Sequence, residues 1–185
     1  MTERLPLLPL REACLLPGAR MEIRVGRPGS VQALGQSGDG LVVVQQRQAT
    51  NARPRQAEEF FVYGCTAEVD DVQPDASALA VTLVGLQRVK LVGVSPQMLS
   101  LQGLCTAAPA SCEPDTHEAI LALYGAQRER LKLPELSDPH LAVYGMARAL
   151  EIADLQAVLD ADDLSLPLQA CLERIDRLAG VEWLH

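Results

Sequence analysis

Cysteine and histidine are the side chains here with the most telling chemistry, and their spacing argues against most of it. The five cysteines, Cys14, Cys65, Cys105, Cys112 and Cys171, are odd in number and scattered through 185 residues. Structural zinc takes its ligands in closely spaced pairs such as Cys-x2–4-Cys. Cys105, Cys112 and His117 form no such pair and straddle a linker-like stretch, so no metal is expected. A hydrolase built on Cys14 or Cys65 needs His117 or His140 as a base within hydrogen-bond reach. Nothing in the spacing brings them together, and each cysteine equally suits a buried position. Free, buried thiols are what a reduced, cytoplasmic protein carries. No catalytic residue and no cofactor is expected.

Other residues invite a binding or a structural reading. Arg88 sits among apolar neighbours after Gly85, where a buried guanidinium needs a partner, Glu68 or a backbone carbonyl. Phe60 and Phe61 are adjacent, and successive strand residues face opposite ways. One ring therefore leaves the core face, to pack under a neighbouring segment or to stand as an exposed anchor for unfolded polypeptide. Met21 and Ile23 raise the same question, with core the simpler answer. These four are the candidate polypeptide contacts.

Charge and hydropathy narrow the classes. The net charge is -8, with Lys90 and Lys132 the only lysines. That balance disfavours nucleic acid, whose binding rests on neutralising phosphates. Arg47, Arg53 and Arg55 lie close together, a basic patch or a solvated polar loop. No apolar run approaches the ~18 residues of a membrane span. The apolar opening is broken by Pro6 and Pro9 and followed by Arg11-Glu12, unlike a signal peptide. A cytoplasmic location is expected.

The elements that must position these residues change character along the chain. Leu5–Leu10 reads as extended chain, because its prolines exclude a helix, and as a strand at an edge or a first position. Pro17-Gly18 marks a turn, and Met21–Val25 alternates as a half-buried strand. Ser30 caps a short helix. Leu41–Val44 is β-branched enough to be covered on both faces. A long polar loop, Gln45–Glu59, precedes a strand from Phe60 to Val69, in which Gly64 marks a bulge or close approach. A strand carrying Leu79, Val81 and Leu83 is interrupted at Gly85, then resumes or bends sharply from Leu86 to Val94. Ser95-Pro96 breaks it again, before a last strand from Leu99 to Cys105. Short strands at this spacing fold into a small barrel or folded-over sheet.

Beyond residues 107–114 the period becomes helical. Asp115 with Glu118 forms a capping-box pattern, and this helix ends near Leu131. Asp138-Pro139 starts a second, Asp154 a third, and Asp163 a fourth with Pro167 in its first turn. Leu164, Leu168, Cys171, Leu172, Ile175, Leu178 and Ala179 form its apolar stripe, and Trp183 docks it. The expectation is α+β, with a β-rich part over 1–108 and a helical part over 109–185 packed on it.

Read together, these residues resemble the N-terminal substrate-binding domain of the ATP-dependent Lon proteases, in stand-alone form. The likeness is carried by Leu5-Pro6-Leu7-Leu8-Pro9-Leu10-Arg11, Pro17-Gly18, Val25-Gly26-Arg27 and Leu41-Val42-Val43-Val44. Further on come Val62–Val69, Val84-Gly85-Leu86-Gln87-Arg88-Val89 and Asp154–Asp160. It implies a PUA-like pseudobarrel followed by a helical bundle, and a non-catalytic module for polypeptides. The structural positions in it are Pro17, Gly18, Gly64, Gly85 and Arg88. The family's ATPase would need a Gly-rich loop ending in Lys-Ser/Thr, yet neither lysine here follows a glycine. Its peptidase needs a serine activated by lysine, and no segment of the 185 residues remains to house one. Leu16 replaces the frequent Phe before Pro-Gly, and Glu22 and Arg24 interrupt the apolar segment after it. An RNA-binding PUA-like module is the alternative, and a small hydrolase comes third.

Overall fold

The computed structural model describes residues 1–152 and 154–182, apart from the side chains of residues 39 and 179–182. Trp183 and the side chain of Ala179 lie outside the described residues. The chain divides into two compact units, Met1–Pro109 and Ala110–His185.

The first unit is built on six strands: β1 Thr2–Leu10, β2 Arg20–Val25, β3 Leu41–Gln45, β4 Tyr63–Asp75, β5 Ala78–Gln97 and β6 Ser100–Ala107. Their order is β2-β5-β4-β3-β1-β6, and β5 pairs with β6 as well. The pairings from β5 through β4, β3, β1 and β6 thus return to β5, and β2 is left with β5 alone. Beneath them lies a core of Leu5, Leu7, Val42, Val44, Phe60, Val89, Leu91 and Cys105.

β1 is not an edge strand. It lies between β3 and β6, parallel to β3 from Leu7 to Leu10 and antiparallel to β6 from Thr2 to Leu7. The two pairings cover different halves of the strand. Pro6 faces Gln102 of β6 and Pro9 faces Val44 of β3, so each proline has an unpaired side for its nitrogen and costs no ladder bond. β3 is buried from Leu41 to Val44, as a doubly covered β-branched run requires.

Neither Gly85 nor Pro96 ends a strand: β5 runs 20 residues through both. Gly85 is there because another chain segment presses on it. A methyl group in its place would overlap the Leu16 carbonyl oxygen and come 3.1 Å from the Cys65 Sγ. The segment pressing on it is the Pro17-Gly18 turn, closed by Ala19 N–H donating to Leu16 O at 3.1 Å. Gly18 takes φ +74° at its third position, which a type II turn assigns to glycine. Gly18 donates to Gly85 O and Gly85 to Ala19 O, each at 2.9 Å. Gly64 serves similarly, since a Cβ there would lie 2.6 Å from both the Val43 oxygen and the Val44 Cγ2.

A short helix, α1 (Pro28–Gly35), follows β2. Ser30 is inside it; Arg27 precedes it and Pro28 takes the first position, where a missing donor is harmless.

The second unit contains α2 Pro114–Leu131, α3 Pro139–Ala149, α4 Leu155–Asp160 and α5 Ser165–Glu182. Asp115 does not cap α2: Glu113 precedes the helix with no side-chain cap, and Pro114 opens it. Asp138 and Asp154 cap α3 and α4, accepting from the amides of His140 and Ala157 at 2.8 and 2.9 Å. Asp163 accepts from Ser165 at 2.6 Å at the start of α5. α3 buries Ala142, Val143, Tyr144, Met146 and Ala147. Leu164, just before α5, and Cys171 on it are buried, but Leu172 is exposed. No helix among the described residues is long and apolar enough to cross a membrane.

Candidate functional site

The tip of the β5–β6 hairpin carries the most anomalous surface of the first unit. Gln97 pairs with Ser100, leaving Met98 and Leu99 as the two turn residues. Such positions ordinarily go to Gly, Asn or Asp. Here both are large and apolar, 90% and 72% exposed, and Met98 holds φ +52°. An unbranched side chain in the left-handed region costs conformational energy, and exposed apolar area gains nothing from solvent. The tip is nonetheless tightly held. Gln32 of α1 accepts from the Leu99 amide at 3.1 Å and donates to the Met98 Sδ at 3.8 Å. Ser100 Oγ lies 3.2 Å from Gln36 Oε1. Gly29 lets α1 approach, since a methyl there would overlap the Leu99 carbonyl oxygen.

Beside the tip runs a groove of about 460 Å³, lined by Leu7 and Pro9 of β1, the first turn of α1, residues 52–55, and Pro96 to Leu101 of the hairpin. A second groove of about 360 Å³ shares Pro9, Arg27 and Ser30 with it and continues past Ile23, Val25, Leu8 and Leu10. Arg27 therefore stands between them. Its Nη2 is shut off from solvent without a hydrogen-bond acceptor among the described residues.

The loop that carries residues 52–55 is ordered around Glu59. The Glu59 carboxylate accepts from the Arg55 and Gln56 amides at 2.6 and 2.7 Å and from Asn51 Nδ2 at 2.5 Å. The Asn51 Oδ1 accepts from Arg53 N–H at 3.0 Å. Buried Gln46 reaches the Asn51 carbonyl at 3.3 Å. The Arg55 amide, then that of Gln56, holds the Glu59 carboxyl below the usual glutamate range. A carboxylate whose pKa is lowered on folding stabilises above its unfolded pKa, and loses this as pH falls through the folded one. Protection of the Arg55 and Gln56 amides against hydrogen exchange, relative to the intrinsic rate at each pH, is therefore expected to fall on acidification below the ordinary glutamate value. Glu59→Gln should bring that loosening to neutral pH, as amide-resolved exchange would report.

The residues singled out from sequence are scattered. Phe60 is 1% exposed and offers no surface: it belongs to the core of the β-rich unit. Phe61 is half-buried, with the Arg47 guanidinium 5.0 Å over its ring. Met21 and Ile23 are half-buried on β2, and only Ile23 lines a groove. Arg88 is buried; it donates to the Ala108 carbonyl at 2.7 Å and stacks 3.6 Å over the Tyr63 ring. Glu68, on the same unit, is exposed.

Cys65, Cys105 and Cys171 are poor nucleophiles, since reactivity needs the thiolate. Burial pushes the Cys65 and Cys171 thiols up to about 12 and raises that of Cys105. Cys112 Sγ lies 3.5 Å from Thr116 Oγ1. His117 and His140 sit edge to face at 6.2 Å, with Asp138 Oδ1 3.2 Å from His140 Nδ1. No group of three or more His, Cys, Asp or Glu among the described residues is placed to hold a metal ion.

Met98 and Leu99 as a contact pair, and Arg27 beside them, were the part missed by sequence reasoning, whereas Arg53 and Arg55 do stand out there, as a basic patch or a solvated loop. The available signal was an apolar pair between two strands with neither glycine nor asparagine.

The family model of the ATP-dependent protease La (LON) substrate-binding domain matches residues 4–177. Lon protease 4 of Sorangium cellulosum (strain So ce56) is 33% identical over 182 residues, covering 97% of this chain and 22% of that protein. Lon protease of Koribacter versatilis (strain Ellin345) is 40% identical over 101 residues, 51% of this chain and 12% of that protein. The chain thus spans about a fifth or less of these relatives. Among solved structures, the N-terminal domain of the Mycobacterium avium complex Lon protease superposes with a TM-score of 0.69 at 16% identity, covering 93% of this chain and 97% of that one. The Lon N-terminal domain protein from Xanthomonas campestris gives 0.66 at 20% identity, covering 92% and 98%. These likenesses establish the mixed α+β fold.

Proposed function

The chain belongs to the family of ATP-dependent protease La (LON) substrate-binding domains, and from that premise we propose that it is a non-catalytic module that holds polypeptide segments. In this reading the ring of strands is a PUA-like pseudobarrel, the helices of the second unit form a bundle, and the grooves beside the hairpin tip are the contact surface. The observation that carries it is the pair Met98 and Leu99. Two large apolar side chains are held out in solvent, on a turn with a left-handed residue, by hydrogen bonds from α1. A fold keeps such a costly arrangement where an apolar partner covers it. The open edge of β2, beside the second groove through Ile23 and Val25, adds main-chain pairing. Met21, on the same strand, flanks that edge.

Titrating a fluorescently labelled, carboxymethylated unfolded protein while following anisotropy tests this. Saturable binding in the micromolar range is expected. No binding at high micromolar concentration, with circular dichroism showing the fold intact, removes the reading.

A further inference from the structure

The grooves are cationic on an acidic protein. The chain has 24 acidic and 16 basic residues, yet Arg11, Arg24, Arg27, Arg53 and Arg55 line the two grooves and no Asp or Glu among the described residues does. Arg24 is engaged by Asp75 at 2.6 Å. The other four have no ion-pair partner among the described residues, and Arg11, Arg53 and Arg55 are exposed. Their chain segment is fixed, since the Arg53 and Arg55 amides are tied to Asn51 and Glu59. Between these guanidiniums the floor is apolar, from Leu7 and Pro9 to Leu101.

We propose that this surface selects polypeptide segments in which apolar side chains are flanked by carboxylates, the apolar group seating beside Met98 and Leu99 and the carboxylates meeting Arg53, Arg55 and Arg27. The inference rests on the polypeptide-binding reading above and adds its substrate class. Guanidinium pairs with carboxylate through two parallel N–H donors, so arginine rather than lysine suits the task. Like charge on the segment would be repelled from the same rim, which makes the selection two-sided. Single-stranded nucleic acid would also answer to arginine. However, such sites add aromatic rings on which bases stack, and among the described residues neither groove has a Phe, Tyr or Trp in its lining.

Three labelled peptides with one apolar centre, flanked by Glu, by Gln or by Lys, should be titrated against the full chain, beside a uridine oligonucleotide. The Glu-flanked peptide is expected to bind about tenfold or more tighter than the Lys-flanked one, with the Gln-flanked peptide between them. In 0.5 M salt the preference should collapse, because exposed charges are screened over about 4 Å there. Arg53→Gln with Arg55→Gln should cut it to within about threefold, the Glu-flanked peptide losing more affinity than the Gln-flanked one. Equal affinities, a lysine preference, or tighter binding of the oligonucleotide overturns this inference and leaves polypeptide binding standing. Failure of all three peptides to bind overturns both.

Discussion

Phe60→Ala is expected to destabilise the β-rich unit by about 3–5 kcal/mol, the cost of removing a large ring from a packed interior. Phe60 is the largest fully buried side chain among the described residues, and its neighbours belong to four strands. Leu5 and Leu7 come from β1, Val42 and Val44 from β3, Val89 and Leu91 from β5, Cys105 from β6. Its backbone is pinned as well, bridging to Gln46 and donating to the Ala57 carbonyl at 3.1 Å. The backbone therefore resists collapse into the space left behind. Denaturant unfolding measures the effect directly. Polypeptide affinity of the molecules that remain folded should not change. A variant as stable as the parent but unable to bind would restore Phe60 as a surface anchor.

Met98→Asn with Leu99→Gln is expected to do the opposite: weaken polypeptide binding tenfold or more while leaving stability unchanged or slightly raised. Asparagine occupies the left-handed region more easily than methionine, so the turn loses strain. Leu99 donates to Gln32 through its backbone, which glutamine retains. What disappears is exposed apolar area, and an apolar side chain fully covered by a partner contributes about 1.5–3 kcal/mol. Even partial covering of two such side chains amounts to a factor of ten, which corresponds to 1.4 kcal/mol. Neutral replacements are used because an acidic one would also repel the segments the arginines attract. Binding isotherms and thermal unfolding on the same preparation separate the two effects.

Much of the fold was legible because local chemistry and tertiary context agree. Prolines in Leu5–Leu10 exclude a helix wherever the segment sits, Pro17-Gly18 asks for a turn, and Asp138-Pro139 is both cap and first helical position. Reading failed where a residue serves a distant segment. Gly85 looks like a strand break, yet it is the place where the Leu16 carbonyl lies against β5. Pro96 looks like another, yet β5 continues to Gln97. Phe60 looks like a strand residue with a free face, but the bridge to Gln46 turns it inward.

The site was less legible than the fold for the same reason. Its walls come from β1, α1, the 52–55 segment and the β5–β6 hairpin, about ninety residues apart at the extremes. No period or spacing connects them. Ile23 was within reach because it alternates on a strand. The arginine rim was not, since averaged composition reports an acid. Arg53 and Arg55 were noticed with Arg47 as a basic patch or a solvated polar loop, and nothing in the spacing showed that Glu59 orders that loop beside the groove.

The most direct test maps the contact surface by amide chemical shifts, adding unfolded polypeptide to the isotopically labelled chain. The account predicts that the largest changes fall at Arg27, Gly29 and Ser30, at Ala52, Arg53 and Arg55, and at Met98 through Leu101. Changes confined to the second unit, or to the face of the strands away from the hairpin tip, would contradict it.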